Sequence, residues 1–131
     1  MGVPEPPDAA APGDGSPDAA ARVAAARADV AARAASLAAQ VEGLAEQQAL
    51  TTHDDEHDPE GVTIAFERAQ LLGLLAGAHD EIAALDRAES RLAAGTYGHC
   101  LNCGSTIPDL RLEALPGVET CRDCAGARRR R

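Results

Sequence analysis

Larger side chains recur with heptad spacing through the first long proline-free run, at Val23, Arg27, Val30, Ala34, Leu37, Val41, Leu44 and Gln48. Intervals of three and four place them along one narrow edge of a helix, and the alanines between them have the best helix propensity of any residue. The spacing predicts a helix from Asp18, acting as N-cap, to about Leu50, roughly 50 Å long at 1.5 Å per residue. A second run repeats the pattern at Ile64, Arg68, Leu71, Leu75, Ala78, Ile82, Leu85, Glu89 and Leu92, and stops at Ala94 before Gly95. Arg68 and Glu89 fall on this seam and read as snorkelling or end-facing side chains.

Between the runs lies Thr51–Gly61, acidic and without a seam position. Pro59 cannot sit inside a continuing helix, and it pushes Asp58 toward extended backbone. Asp58 as N-cap, Pro59 in the first helical position and Glu60 in the first turn make a well-formed helix start. Two helices of similar length, each with one sticky edge and joined by a short polar link, bury those edges by folding back on each other. The expected architecture is all-α, with a long antiparallel coiled-coil hairpin over residues 18–94 and an acidic tip at 51–61. Heptads do not by themselves exclude pairing between chains. The expectation is an intrachain hairpin and a monomer. Residues 1–17, rich in Pro, Gly, Asp and Ala, read as a disordered tail.

Composition narrows this further. The hydrophobic fraction is 45% but is dominated by alanine, and the aromatics, at 2%, are Phe66 and Tyr97. A thick globular core is excluded. The net charge is −9 with a pI of about 4.7, and every basic side chain is arginine. Such acidity disfavours direct nucleic-acid binding and anionic membranes, and suits a basic protein partner. No apolar stretch approaches the ~18 residues of a membrane span, and the N-terminus lacks the basic and apolar regions of a secretory leader. The expected location is cytoplasmic.

All four cysteines stand in two C-x-x-C pairs, Cys100 with Cys103 and Cys121 with Cys124, with residues 104–120 between them. Two such turns brought together present four thiolates in a tetrahedron, the donor set of a structural Zn²⁺ site with no position left for substrate. One structural Zn²⁺ is expected within a small C-terminal module spanning residues 95–127. The spacing alone leaves iron open, since tetrahedral sulfur suits both metals. Disulfides would need an oxidising compartment, and a thiol–disulfide enzyme usually carries one pair rather than two. Gly104 permits the tight turn after the first pair. Arg111 or Arg122 could offset the charge of four thiolates, and Ile107, Leu110, Leu112, Leu115 and Val118 could cover the metal. His53 and His57 are four apart among carboxylates, with no framework to hold a second metal. Arg128–Arg131 form a basic tail. No nucleophile–base pair or phosphate loop points to an enzyme.

The run Tyr97-Gly98-x-Cys100-x-x-Cys103-Gly104-x-x-Ile107, followed by Arg111-Leu112-x-Ala114-x-Pro116 and Cys121-x-x-Cys124, resembles the DksA/TraR C4-type zinc-finger family. The resemblance is close over about 95–124. Over 18–94 it extends to the arrangement of the coiled coil. It implies a bacterial transcription regulator that binds RNA polymerase, inserts the hairpin through the secondary channel and acts in several members with ppGpp. It also implies that Asp55 and Asp58 are the tip residues approaching the active centre. The family's tip has Asp-x-x-Asp followed by Arg-Ala, whereas Pro59-Glu60 follows the two aspartates here. Two other readings stand beside it: a nucleic-acid-binding zinc finger using the arginine-rich end, and an adaptor whose hairpin docks another protein.

Overall fold

Alanine-rich sequence with proline confined to its margins winds into two long helices, α1 (Pro17–Thr51) and α2 (Pro59–Ala94), followed by the short α3 (Asp109–Ala114) and α4 (Arg122–Arg129). The computed structural model describes residues 17–51 and 59–129. The expected N-terminal tail up to residue 16, the connecting residues 52–58 with His53, Asp55, His57 and Asp58, and the last two arginines lie outside the described residues. The α1 start differs from expectation. Pro17 opens the helix and Asp18 lies in its first turn rather than capping it. Both are favourable there, since proline lacks only an N–H that would go unpaired and the carboxylate faces the positive end of the helix dipole. Pro59 opens α2 as its spacing predicts, with Glu60 in the first turn.

The chain divides into two compact units, Ala28–Ile82 and the combination of Met1–Arg27 with Ala83–Arg131. In Ala28–Ile82, α1 and α2 run antiparallel and bury Val30, Ala34 and Leu37 against Ile64 and Ala78. These are heptad positions of both runs. Arg33 and Glu81 pair across the helices at 3.7 Å, both half-exposed, and such a pair contributes little stability. Arg68 is half-buried on the seam and its Nε makes no hydrogen bond.

In the other unit the seam changes register. The heptad puts Glu89 inside, but the structure buries Ala88 and leaves Glu89 exposed, 4.0 Å from Arg27, which also pairs with Asp86. An unpaired buried carboxylate is expensive, whereas alanine lets a neighbouring segment approach the helix closely. Ala88 joins Leu85, Ala19 and Val23 in the core of this unit. Gly117 lies so near that an added Cβ would meet Leu85 Cδ2 at 3.4 Å.

The α2 C-terminus ends in a two-bond cap. Thr96 N–H donates to Arg91 O at 2.9 Å and Gly95 N–H to Leu92 O at 3.2 Å. This pattern requires a left-handed residue at Gly95, whose φ is +76°. It turns the chain out of α2 and into the cysteine-bearing segment. No helix among the described residues is long and apolar enough to cross a membrane.

Candidate metal centre

The first C-x-x-C pair sits on a tight knuckle. Gly104 N–H donates to Cys100 O at 2.8 Å, with Gly104 at φ +77°, and Cys100 N–H donates to Ser105 O at 2.8 Å. A bridge between His99 and Thr106 closes the loop, and Ile107 N–H returns to Gly98 O at 2.8 Å. The second pair uses a helix end instead. Cys121 immediately precedes α4, Cys124 lies in its first turn, and Ala125 N–H donates to Cys121 O at 2.9 Å. In each pair the second cysteine's N–H points at the first cysteine's Sγ, at 3.5 Å in both.

The four Sγ atoms lie within 4.8 Å of one another, and those of Cys103 and Cys121 are 3.8 Å apart. Sulfurs about 2.3 Å from a central Zn²⁺ would be separated by about 3.8 Å along each tetrahedral edge. The donor set therefore fits one structural Zn²⁺ closed to further ligands. Two side chains also support the sulfurs, Asn102 Nδ2 donating to Cys124 Sγ at 3.2 Å and Ser105 Oγ lying 2.9 Å from Cys103 Sγ. Donors of this kind favour thiolates and orient them.

Electrostatics within the cluster show what the metal would supply. Burial pushes the Cys100 thiol up, but backbone N–H groups from Cys121, Cys103 and Asn102 outweigh it and bring the thiol down to about 6. The Cys124 backbone N–H lowers Cys121. Asn102 acts to lower Cys124, yet the neighbouring sulfurs, led by Cys121, push it up to about 12. Four sulfurs so close cannot all carry charge without a cation.

Cover for the site is only partly what the sequence suggests. Ile107 and Leu112 are buried as expected, but Leu110 is 79% exposed and Leu115 50%. Tyr97 is fully buried within the module instead, and its hydroxyl donates to Pro116 O at 2.9 Å. Arg111 holds the chain rather than the sulfurs, its Nε donating to Thr120 O at 3.2 Å just before Cys121.

A carboxylate clamp ties the module to α2, and sequence reasoning missed it. Arg87 grips Glu119 with two bonds of 3.0 Å, while Arg91 donates to the same carboxylate at 3.2 Å and to Val118 O at 3.4 Å. Glu119 also accepts the Leu101 N–H on its backbone carbonyl at 2.8 Å, so one residue links α2, the first knuckle and the approach to Cys121. The signal available in the sequence was the i, i+4 spacing of Arg87 and Arg91 off the heptad edge. Bidentate guanidinium–carboxylate geometry with partial burial is the strong form of such a contact. Glu119→Ala should destabilise the folded module by about 1–3 kcal/mol, read as a lower thermal midpoint, with Glu119→Gln losing less.

Residues 95–130 match the family model described as the prokaryotic dksA/traR C4-type zinc finger. An uncharacterized protein of Aquifex aeolicus is 46% identical over 41 residues, 31% of this chain and 28% of that relative, so the chain aligns with under a third of the relative's length. A solved structure of the transcription factor DksA2 from Pseudomonas aeruginosa is similar over 84% of each chain, with 23% identity and a TM-score of 0.50. That likeness concerns the fold.

Proposed function

We propose, from the match of residues 95–130 to the prokaryotic dksA/traR C4-type zinc finger, that the protein is a cytoplasmic, zinc-containing bacterial transcription regulator that binds RNA polymerase. The observation carrying this reading is the closed four-sulfur cluster inside the matched segment. A site filled by protein sulfur offers no position to a substrate, so zinc here holds structure and the protein acts by binding rather than catalysis.

In this reading the hairpin is the effector. Helices of 35 and 36 residues are each more than 50 Å long at about 1.5 Å per residue, a length suited to reaching through a channel in a larger assembly. Asp55 and Asp58 would meet Arg, Lys or Mg²⁺ near the polymerase active centre, where carboxylates have attractive targets. Cooperation with ppGpp is part of the same expectation, with the protein acting as a monomer.

The test uses purified bacterial RNA polymerase and the zinc-loaded chain, in binding and initiation assays. Wild type should bind and alter initiation, whereas Asp55→Ala/Asp58→Ala should bind but lose most of the effect. Assays with and without ppGpp measure the cooperation. Absence of polymerase binding by wild type would favour the adaptor reading instead.

A further inference from the structure

Three consecutive carbonyls lead into Cys121, and each accepts a hydrogen bond from a different element. Val118 O accepts from Arg91 of α2 at 3.4 Å, Glu119 O from the Leu101 N–H of the first knuckle at 2.8 Å, and Thr120 O from Arg111 Nε of α3 at 3.2 Å. A connecting segment without such partners would place the following cysteine loosely, because every unfixed residue keeps its backbone freedom. The Glu119 side chain adds the strongest hold. Its carboxylate takes two bonds of 3.0 Å from Arg87 and one of 3.2 Å from Arg91, with the Arg91 side chain 11% exposed and that of Glu119 24%. Partial burial makes this a firmer grip than an exposed ion pair. Arg87 and Arg91 stand one turn apart near the end of a 36-residue helix, so the hold comes from a regular, rigid element.

The consequence reaches the sulfurs. Leu101 directly follows Cys100, so the bond from its N–H to Glu119 O ties the first cysteine pair to the approach to the second. The Cys121 N–H is in turn one of the backbone donors to the Cys100 sulfur. The Sγ atoms of Cys103 and Cys121, one from each pair, lie 3.8 Å apart. All of these contacts depend on where residues 118–120 lie. Contacts that orient ligating residues without touching the metal commonly change metal affinity by about 10–100-fold.

We propose that Glu119 is a positioning residue for the zinc site, held by Arg87 and Arg91 so that α2 sets how the two cysteine pairs converge and how tightly they keep the metal. Glu119 acts through the backbone of its own segment, which carries Cys121 at its end and the Leu101 contact at its middle. The role concerns retention and geometry of the metal, beyond stability of the fold, and it holds whatever the hairpin docks on.

The experiment uses the full-length protein as wild type, Glu119→Ala, Arg87→Met/Arg91→Met and Leu37→Ala. Zinc affinity is measured by competition with a chromogenic chelator, and the absorption bands of Co²⁺ bound in place of zinc are recorded at saturation. The arginine variant leaves every residue of the module unchanged, and circular dichroism confirms that α1 and α2 remain helical. Leu37 is buried in the Ala28–Ile82 unit, so its truncation lowers thermal stability without touching the clamp. Glu119→Ala and the arginine variant should each weaken zinc binding at least about tenfold, and combining them should add little because both remove one contact. Both should also shift the Co²⁺ bands, whereas Leu37→Ala should match wild type in its bands and, within about twofold, in affinity. Zinc affinity of Glu119→Ala within about twofold of wild type would overturn the proposal. Unchanged Co²⁺ bands in both clamp variants would overturn it as well, leaving the clamp a purely stabilising contact. An equal loss of affinity in Leu37→Ala would do the same, by making affinity a readout of overall stability.

Discussion

Removing zinc, by chelation or by Cys121→Ser, should abolish the native packing of the C-terminal module while most of the helical signal remains. The helices at stake in the module have 6 and 8 residues, against 35 and 36 in α1 and α2. Between α2 and α4 the large fully buried side chains are Tyr97, Ile107 and Leu112. At about 1.5–3 kcal/mol for each, their burial cannot offset an ordering cost of about 1–2 kcal/mol for every residue of the module. Folding of such a module is coupled to metal binding, whose apparent energy is about 10–16 kcal/mol at pH 7 in zinc-finger peptides. Hydrogen exchange should therefore show loss of protection at the Cys100, Gly104, Ile107 and Ala125 amides, with the Val30 to Leu37 segment still protected. Slow exchange retained at Gly104 and Ile107 in the chelated protein would contradict this dependence.

The same cluster predicts how metal loading responds to acid. Without zinc the module loses its packing and its cysteines revert toward ordinary thiols, largely protonated at neutral pH, so zinc must displace their protons. Apparent zinc affinity should fall steadily as pH falls through the neutral range, as protons compete with the metal for the thiolates. Calorimetry in buffers of different ionisation enthalpy at pH 7.5 should report at least one proton released per zinc.

The second large effect is expected at Tyr97. Tyr97→Ala opens a cavity beneath the segment leading to Cys121 and should cost about 3–5 kcal/mol. Tyr97→Phe keeps the volume but leaves the Pro116 carbonyl without its donor, for about 1–2 kcal/mol. Burial also raises the Tyr97 hydroxyl pKa, so it remains a neutral donor across the physiological range. Thermal melts of the zinc-loaded protein should rank wild type, Tyr97→Phe and Tyr97→Ala in that order. A Tyr97→Ala midpoint equal to wild type would remove tyrosine from the support of the metal site.

Much of this arrangement is readable from one dimension because it depends on local periodicity. Val30, Ala34, Leu37, Ile64 and Ala78 repeat with the helix, and burial follows the repeat. Pro59 and Gly95 mark helix margins because their backbone preferences act on their own residue and its neighbours. The cysteine pairs are equally explicit, since a C-x-x-C turn aims both sulfurs before any distant contact is made.

Only tertiary packing could choose Ala88 over Glu89, Tyr97 over Leu110 and Leu115, and Glu119 as the common partner of Arg87 and Arg91. Heptad spacing describes one helix facing another and has no information about a third segment arriving beside it. Gly117 packs on Leu85 and Ala84, so a segment distant in sequence helps set which side of α2 is covered there. Contacts among residues far apart in the chain are set by shape and charge at the point of meeting, which linear spacing does not encode.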